Sequence, residues 1–570
     1  EPLWIVLSLA MIILVDLLII FLTNSIRVGS VIVPFVLFIF AVVVCVVYEF
    51  RGIPMMAPDI LTVQTATSVM GNYTFKLTFE QYSVILVCMA FFFTFLRLHE
   101  VKVTEKRVFH IAGFIVVALG CGLFTNQIIL SDFMEEHQIN IRMFRPMESY
   151  QKYGGVLTFA RSVGYAVVKK PEGYTTAKVD QIIQEYEKKS ANEQQSTAKQ
   201  YPNIITVVNE TFADIKVLGD FKTNEDYMPY FHSLKKNCVT GYTYASIVGG
   251  QTANTEFELL TGNTLGFLSA GTTAFQLYIH GQMPSLVSNL KAEGYSGNKA
   301  MHPFNPYNYN RPAVYKDFGF TDFIDKFDFP KNVKRVREYI SDEANVDRII
   351  SEYEKNRKKT DQPFYMYNMT IQNHSPYDKD AANFKQPIKI ESSKYDAEAN
   401  RYLNLIKYSD DSLKQLTSYF EKCKEPTIIL FLGDHQPRLT DEFMNKITNG
   451  QYQTWSSEQM MKRYQVPFVI WANYDIKEQH IEKTSMNYIQ SILTQTAGVK
   501  MTGYQRFLNE VRKEVPTITS QGYWGKNGKF YQINDKGSPY YGIIQKYRMI
   551  QYNMMFDKKN RRDSFFEVSK

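Results

Sequence analysis

"TIILFLGDHQP", residues 427 to 437, decides how the polar part of this chain folds. The run from Thr427 to Leu432 is apolar and β-branched, the composition of a strand buried on both faces. Gly433 ends it, and Asp434 and His435 follow side by side. In a layered α/β fold the ligand crevice lies beyond the carboxyl ends of the strands. An acid and an imidazole delivered there read as ligands for a metal. Alone, Gly433-Asp434-His435 reads first as a turn or a helix cap, because an Asp after Gly usually serves as one or the other.

Three more runs have the same form: "NIITVVNET" (203–211), "PFYMYNMTIQNH" (363–374) and "VPFVIWANY" (466–474). Helical patterns such as "DSLKQLTSYFEKC" (411–423) lie between them. The alternation predicts an α/β domain with a largely parallel sheet. The residues to inspect are then Asn209, Glu210 and Thr211 after the first strand, Asn373 and His374 after the second, and Asp434 and His435 after the third. Glu210, Asp434 and His435 offer two carboxylates and one imidazole, a set suited to Mn²⁺, Mg²⁺ or Zn²⁺.

A hydroxyl beside such an ion would be activated as a nucleophile. "GGQTANTEFELLTGNT" (249–264) supplies one in Thr252, after two glycines that permit a tight turn and at the start of a helix carrying Glu256. On local sequence a threonine there is an N-cap, and amides at a helix start also bind phosphate oxygens.

Outward from this domain the chain changes character. Its 570 residues are 45% hydrophobic with net charge +7, but those means cover two unlike parts. The first 125 residues hold four long apolar stretches, Leu3 to Leu22, Val31 to Val47, Tyr82 to Leu96 and Val108 to Phe124. Most approach the ~20 residues that cross a bilayer, so four transmembrane helices are expected. Repetition of the pattern, without a small-residue cleavage site, excludes a signal peptide. Asp16 inside the first stretch is costly in lipid and should face another helix or a polar cavity. "RLHEVKVTEKRVFH" (97–110) carries Arg97, Lys102, Lys106 and Arg107, which puts it in the cytoplasm and everything after residue 125 outside the cell. By that parity Glu1 lies outside, which suggests a helix missing upstream.

The expected division is a transmembrane domain at 1–125, an interfacial helix and linker at 126–200, a catalytic domain at 201–520 and an aromatic, basic extension at 521–570. "YGGVLTFARSVGYAVVKKPEGY" (153–174) could lie along the membrane surface, and the extension is expected to pack on the catalytic domain. With only Cys238 and Cys423 in the outer domain, this is no disulfide scaffold, and free thiols are expected. No nucleic-acid motif accompanies the positive charge.

The ordered segments "VVNETF", "GGQTANTEFELLTGN", "MHPFNPYNYNRPAVYKDFGF", "IQNHSPY" and "FLGDHQP", behind transmembrane helices, resemble the lipoteichoic acid synthase family of phosphoglycerol transferases. That family belongs to the alkaline phosphatase and sulfatase superfamily of Gram-positive surface enzymes. The loop at 49–75 resembles a stretch of the same membrane regions. The resemblance implies a multi-pass helical membrane domain joined to an extracellular α/β sulfatase-like domain. Glu210, Thr252, Asp434 and His435 fall where the family holds one divalent metal, manganese or magnesium, with Thr252 as nucleophile. His302, Arg311 and His374 fall where it grips glycerol phosphate, Tyr309 stands where an aromatic residue is expected, and Phe304 where some members carry a polar one. Guanidinium suits a tetrahedral phosphate, and a histidine can protonate a leaving alkoxide. The implied donor is phosphatidylglycerol, and the implied acceptor is a teichoic acid or cell-wall glycan.

The rivals differ by motif. A sulfatase needs a Cys or Ser in C/S-x-P-x-R, which "GQTANTEF" lacks. A phosphoethanolamine transferase shares the threonine but assembles a fuller zinc site. A phosphodiesterase differs only in using water as acceptor. A non-catalytic tethered protein would have no reason to keep the Glu, Thr, Asp and His.

Overall fold

The computed structural model describes residues 3–51, 54–57, 79–97, 99–131, 133–137, 139, 141, 146–164, 168, 170–190, 201–269, 271–450 and 452–568. It divides into two compact units, Glu1–Val168 with Ser269–Thr272, and Lys169–Leu268 with Thr273–Lys570.

The first unit is helical. Three described helices are long and apolar enough to span a bilayer, Leu3–Thr23, Ile26–Tyr48 and Arg107–Ile129. The remaining expected stretch, Tyr82 to Leu96, lies in helix Phe79–Leu96, whose described apolar part, Ile85–Leu96, is shorter. Asp16 on the first helix faces the second: a side chain at Gly29 would come within 2.6 Å of Asp16 Oδ1. Most of the loop at 49–75 lies outside the described residues, as does the linker at 191–200.

The second unit is built around an eight-stranded sheet: β1 (Asn203–Asn209), β2 (Cys238–Tyr244), β3 (Ser296–Met301), β4 (Asp322–Ile324), β5 (Phe364–Met369), β6 (Thr427–Gly433), β7 (Gln465–Ala472) and β8 (Gln479–Ser485). They lie in the order β8-β2-β7-β6-β1-β5-β3-β4. All neighbouring pairs are parallel except those of β7, which runs against both β2 and β6. Two reversals restore direction, so β2 and β8 point the same way as β6. Every residue of β1, β5 and β6 is buried, so both faces of the sheet are covered there. That burial is why these strands read as continuous apolar runs instead of alternating ones. The carboxyl ends of β3, β5, β1 and β6 therefore form one contiguous edge.

Gly433 sets how closely that edge is built. A Cβ there would lie 1.8 Å from the Phe212 carbonyl oxygen, so no side chain fits where β6 passes the loop after β1.

The C-terminal segment belongs to this unit. The boundary anticipated at residue 520 falls inside a hairpin of Thr517–Thr519 and Gly522–Trp524. Further on, helix Tyr541–Met555 reaches the loop that follows the Thr252 helix. Tyr547 donates to the Gly262 carbonyl at 2.5 Å. Gln551 clasps Thr264 with both ends of its amide, accepting from the backbone N–H at 2.8 Å and donating to the carbonyl at 2.9 Å. Both residues are buried. Gln551→Leu leaves a buried donor and a buried acceptor unpaired, at about 1–3 kcal/mol each. Thermal unfolding of the full chain in detergent should show a clear drop in midpoint, and an unchanged midpoint would refute the clasp. Cys238 and Cys423 are both free thiols.

Candidate active site

The site lies at the contiguous strand edge. β1 delivers Glu210, β6 delivers Asp434 and His435, β3 delivers His302, and β5 leads to His374. All five are part-buried or buried, with Glu210, His302, Asp434 and His435 at 3% exposure or less.

One ligand atom each from Glu210, Asp434 and His435 lies within 4.8 Å of the others. The backbone builds this cluster. Asp434 Oδ1 accepts from the amides of Thr211 at 2.7 Å and His435 at 2.8 Å, locking the two strand ends together. The turn or cap alternative for Asp434 gives way to this bridge between strands. His435 Nδ1 lies 3.0 Å from the Gln436 carbonyl, a contact in which the ring nitrogen donates, so Nε2 is the nitrogen turned to the cluster. Nε2 faces Asp434 Oδ2 at 3.2 Å and Glu210 Oε1 at 3.9 Å. Asp434 Oδ2 and His435 Nε2 are buried and have no hydrogen-bond partner among the described residues. Burial, then the Asp434 charge, push the Glu210 carboxyl well above its usual range. Electron pairs crowded in a dry place are unfavourable alone and favourable around a cation, so these residues fit a divalent metal.

Thr252 opens helix Thr252–Thr261, which follows β2. The local expectation of an N-cap gives way here. The cap is Gln251, and Thr252 is the first helical residue. Gly249, Gly250 and Gln251 all have positive φ, at 69°, 150° and 65°, and curl the chain so that the threonine follows the cap. Two bonds fasten this turn to the end of β6: Gly249 N–H donates to the Gln436 carbonyl at 2.9 Å, and Thr255 Oγ1 to the Asp434 carbonyl at 2.8 Å.

His302 and His374 are both held through Nδ1, against the Met369 carbonyl at 3.0 Å and the Ser375 carbonyl at 2.7 Å. Burial lowers the His374 pKa to about 4, and burial with the nearby Arg311 charge pushes His302 well down. Both are neutral imidazoles near pH 7 with Nε2 as an acceptor. Phe304 stacks on His374 with ring centres 6.3 Å apart. Arg311 is 1% exposed, lies over the Tyr309 ring at 5.1 Å, and has its charge felt at Glu210 as well.

Several supports escaped the sequence reading. Arg337 donates to the carbonyls of Pro376, Gln372 and His374 at 2.7 to 2.8 Å, gripping the loop that carries His374. "KRVREYI" gives no local sign of that role. Asp342 Oδ2 accepts from Asn209 at 2.7 Å and Ser409 at 2.6 Å, and Asn373 bridges Asn209, Ser409 and the Glu210 carbonyl behind the metal ligands. So Asn209 and Asn373, singled out as strand-end residues, are braces. Glu256, which the sequence placed on the Thr252 helix, receives Arg311, Tyr315 and Tyr367. His232 pairs with Asp226 at 2.7 Å, and the Asp214 hydrogen bond raises its pKa to about 9.

The sulfatase family matches residues 202–499 of the chain. A protein of Rhizobium meliloti (strain 1021), named as a candidate for cyclic beta-1,2-glucan modification, is 30% identical over 433 residues, covering 75% of this chain and 65% of its own length. The lipoteichoic acid synthase of Staphylococcus saprophyticus is 23% identical over 374 residues, covering 63% of this chain and 55% of its own. The chain thus spans less than two thirds of either relative. Among solved structures, the Streptococcus pyogenes phosphoglycerol transferase GacH, in complex with sn-glycerol-1-phosphate, is similar in fold, with TM-score 0.57 at 20% identity over 70% of this chain and all of that one.

Proposed function

The chain belongs to the sulfatase family, and from that premise we propose that it is a membrane-anchored phosphoglycerol transferase. It moves glycerol phosphate from phosphatidylglycerol, through an adduct on Thr252, to a hydroxyl of a teichoic acid or cell-wall glycan outside the cell. The observation that carries this reading is the junction of two features. A helix start bearing a buried threonine is tied to the Asp434 carbonyl, beside three buried ligand atoms that want a cation.

Glu210, Asp434 and His435 would hold the ion. When bound, a divalent cation supplies charge that lowers the pKa of a hydroxyl and offsets the charge of phosphate oxygens. The family resemblance favours Mn²⁺ or Mg²⁺.

The chain's own groups do the rest. Thr252 Oγ1 attacks phosphorus as the bond to the diacylglycerol oxygen breaks. The threonine proton leaves with diacylglycerol, and a threonyl glycerophosphodiester remains. An acceptor hydroxyl then displaces Thr252, which takes back a proton. Each diester carries one negative charge, so neither step changes the charge on phosphorus. Arg311 binds a nonbridging oxygen, with the amides of the helix start as further donors. His302 and His374, neutral with Nε2 as acceptor, suit the proton of the entering hydroxyl. Tyr309 and Phe304 wall the glycerol. The apolar helices keep the domain at the surface where the lipid head group lies.

The test uses the full chain in vesicles with Mn²⁺, measuring diacylglycerol from phosphatidylglycerol and, separately, from phosphatidylethanolamine. Diacylglycerol from phosphatidylglycerol alone supports the reading. Consumption of phosphatidylethanolamine instead replaces it with phosphoethanolamine transfer, and release of free glycerol phosphate in the presence of glycan acceptors makes the protein a phosphodiesterase.

A further inference from the structure

Glu256 lies four residues after Thr252 on the same helix, so the two share a face about 6 Å apart along the axis. Its side chain is completely buried yet fully engaged. Oε1 accepts from Arg311 Nε at 3.1 Å and Nη2 at 2.7 Å. Oε2 accepts from the hydroxyls of Tyr315 at 2.5 Å and Tyr367 at 3.1 Å. Arg311 and Tyr315 stand one turn apart on helix Arg311–Phe318, and Tyr367 belongs to β5. One carboxylate thus joins the helix that begins at Thr252, the helix that begins at Arg311 and the centre of the sheet. Both Arg311 contacts fall on the Nε and Nη2 side of the guanidinium, leaving Nη1 free of Glu256.

We propose that Glu256 is a positioning residue for phosphate: the Thr252-x-x-x-Glu256 spacing acts as a ruler that fixes the Arg311 guanidinium at a set distance from the threonine hydroxyl. The inference rests on the transferase reading for its substrate. Phosphorus in flight must lie within reach of Thr252 Oγ1 while its oxygen lies against Arg311. A tether one turn along the nucleophile's own helix holds both to a single rigid element, so relative motion of two helices cannot separate them. Without it, the direction of the Arg311 guanidinium would rest on packing such as that over the Tyr309 ring, and misplacement by about 1 Å can cost about a hundredfold in rate.

A ruler depends on reach, and a mere charge pair depends on sign. Glu256→Gln keeps the reach and removes the charge, since the amide oxygen still accepts from Arg311 and the tyrosine hydroxyls can turn to accept from the amide nitrogen. Glu256→Asp keeps the charge and shortens the arm by one methylene. Three quantities are measured on the full chain in detergent with Mn²⁺: turnover of phosphatidylglycerol, affinity for sn-glycerol 1-phosphate by calorimetry, and the melting midpoint with and without the ion. The ruler requires that Glu256→Gln stay within about tenfold of wild type in kcat. It requires Glu256→Asp to fall about a hundredfold in kcat, with the ion-dependent rise in midpoint intact in both. Tyr367→Phe, which removes one hydroxyl and keeps the ring, should lose affinity for glycerol phosphate in the same sense and to a smaller degree. The proposal is overturned if Asp equals or exceeds Gln, or if both variants and Tyr367→Phe lose only stability. A wild-type chain that ignores phosphatidylglycerol but binds glycerol phosphate, with affinities ranked wild type, Gln, then Asp, defeats the donor assignment and leaves the ruler standing. A wild-type chain that binds no glycerol phosphate defeats the ruler.

Discussion

Thr252→Ala should lower kcat for diacylglycerol release by about 10⁴-fold or more, the scale of losing a covalent nucleophile, while the protein melts within a few degrees of wild type. The fold survives because Thr252 is not the cap of its helix, and alanine is the better helix former. Thr252→Ser keeps a hydroxyl at the same place and should retain substantial turnover. Steady-state rates in vesicles, paired with melting curves, separate chemistry from folding. An alanine variant with a tenth of wild-type kcat would move the nucleophile elsewhere.

Asp434→Asn should abolish the response to the ion and activity with it, without harming the ion-free protein. The asparagine oxygen can still accept the Thr211 and His435 amides that Asp434 Oδ1 accepts at 2.7 and 2.8 Å. Its amide nitrogen then replaces Oδ2, a buried oxygen with no hydrogen-bond partner among the described residues, and a donor there repels a cation. The charge that helps hold Glu210 well above its usual range also disappears, so the ion-free variant should be as stable as wild type or more so. In wild type, an ion at a hundredfold excess over its Kd adds about 2.7 kcal/mol, and that rise should be absent from the variant. A midpoint that still climbs with Mn²⁺ would mean that the ion binds elsewhere.

The contrast between legible and hidden parts follows from where side chains point. β1, β5 and β6 were visible in the sequence because every residue in them is buried, and their ends named Glu210, His374, Asp434 and His435. β3, "SGNKAM", and β8, "QHIEKTS", escaped because neither carries an apolar run: β8 is an edge strand with most of its first residues exposed. Thr252 was found by its glycines, but its role as the first helical residue depends on three successive positive φ values that residue types alone do not specify. Arg311 was reached through family likeness. Its anchor, Glu256, was in view as a helix residue, but the bond between them spans 55 positions and no local pattern encodes it. Arg337 and Asp342 were hidden for the same reason, since they act through backbone carbonyls and asparagines brought together only by the sheet.

Helix Tyr541–Met555 bears on any attempt to isolate the catalytic part, because Gln551 and Tyr547 close over Thr264 and Gly262. A fragment ending near residue 520 would strip those partners from the helix that carries Thr252. The decisive measurement therefore uses the full chain.

That measurement is the intact mass of the purified full-length chain after incubation in detergent with Mn²⁺ and phosphatidylglycerol, without acceptor, followed by peptide mapping. The account requires one glycerophosphate added per chain, located on Thr252, absent from Thr252→Ala and discharged when a glycan acceptor is supplied. Diacylglycerol released with no adduct at any time, or an adduct mapped to another residue, would contradict it.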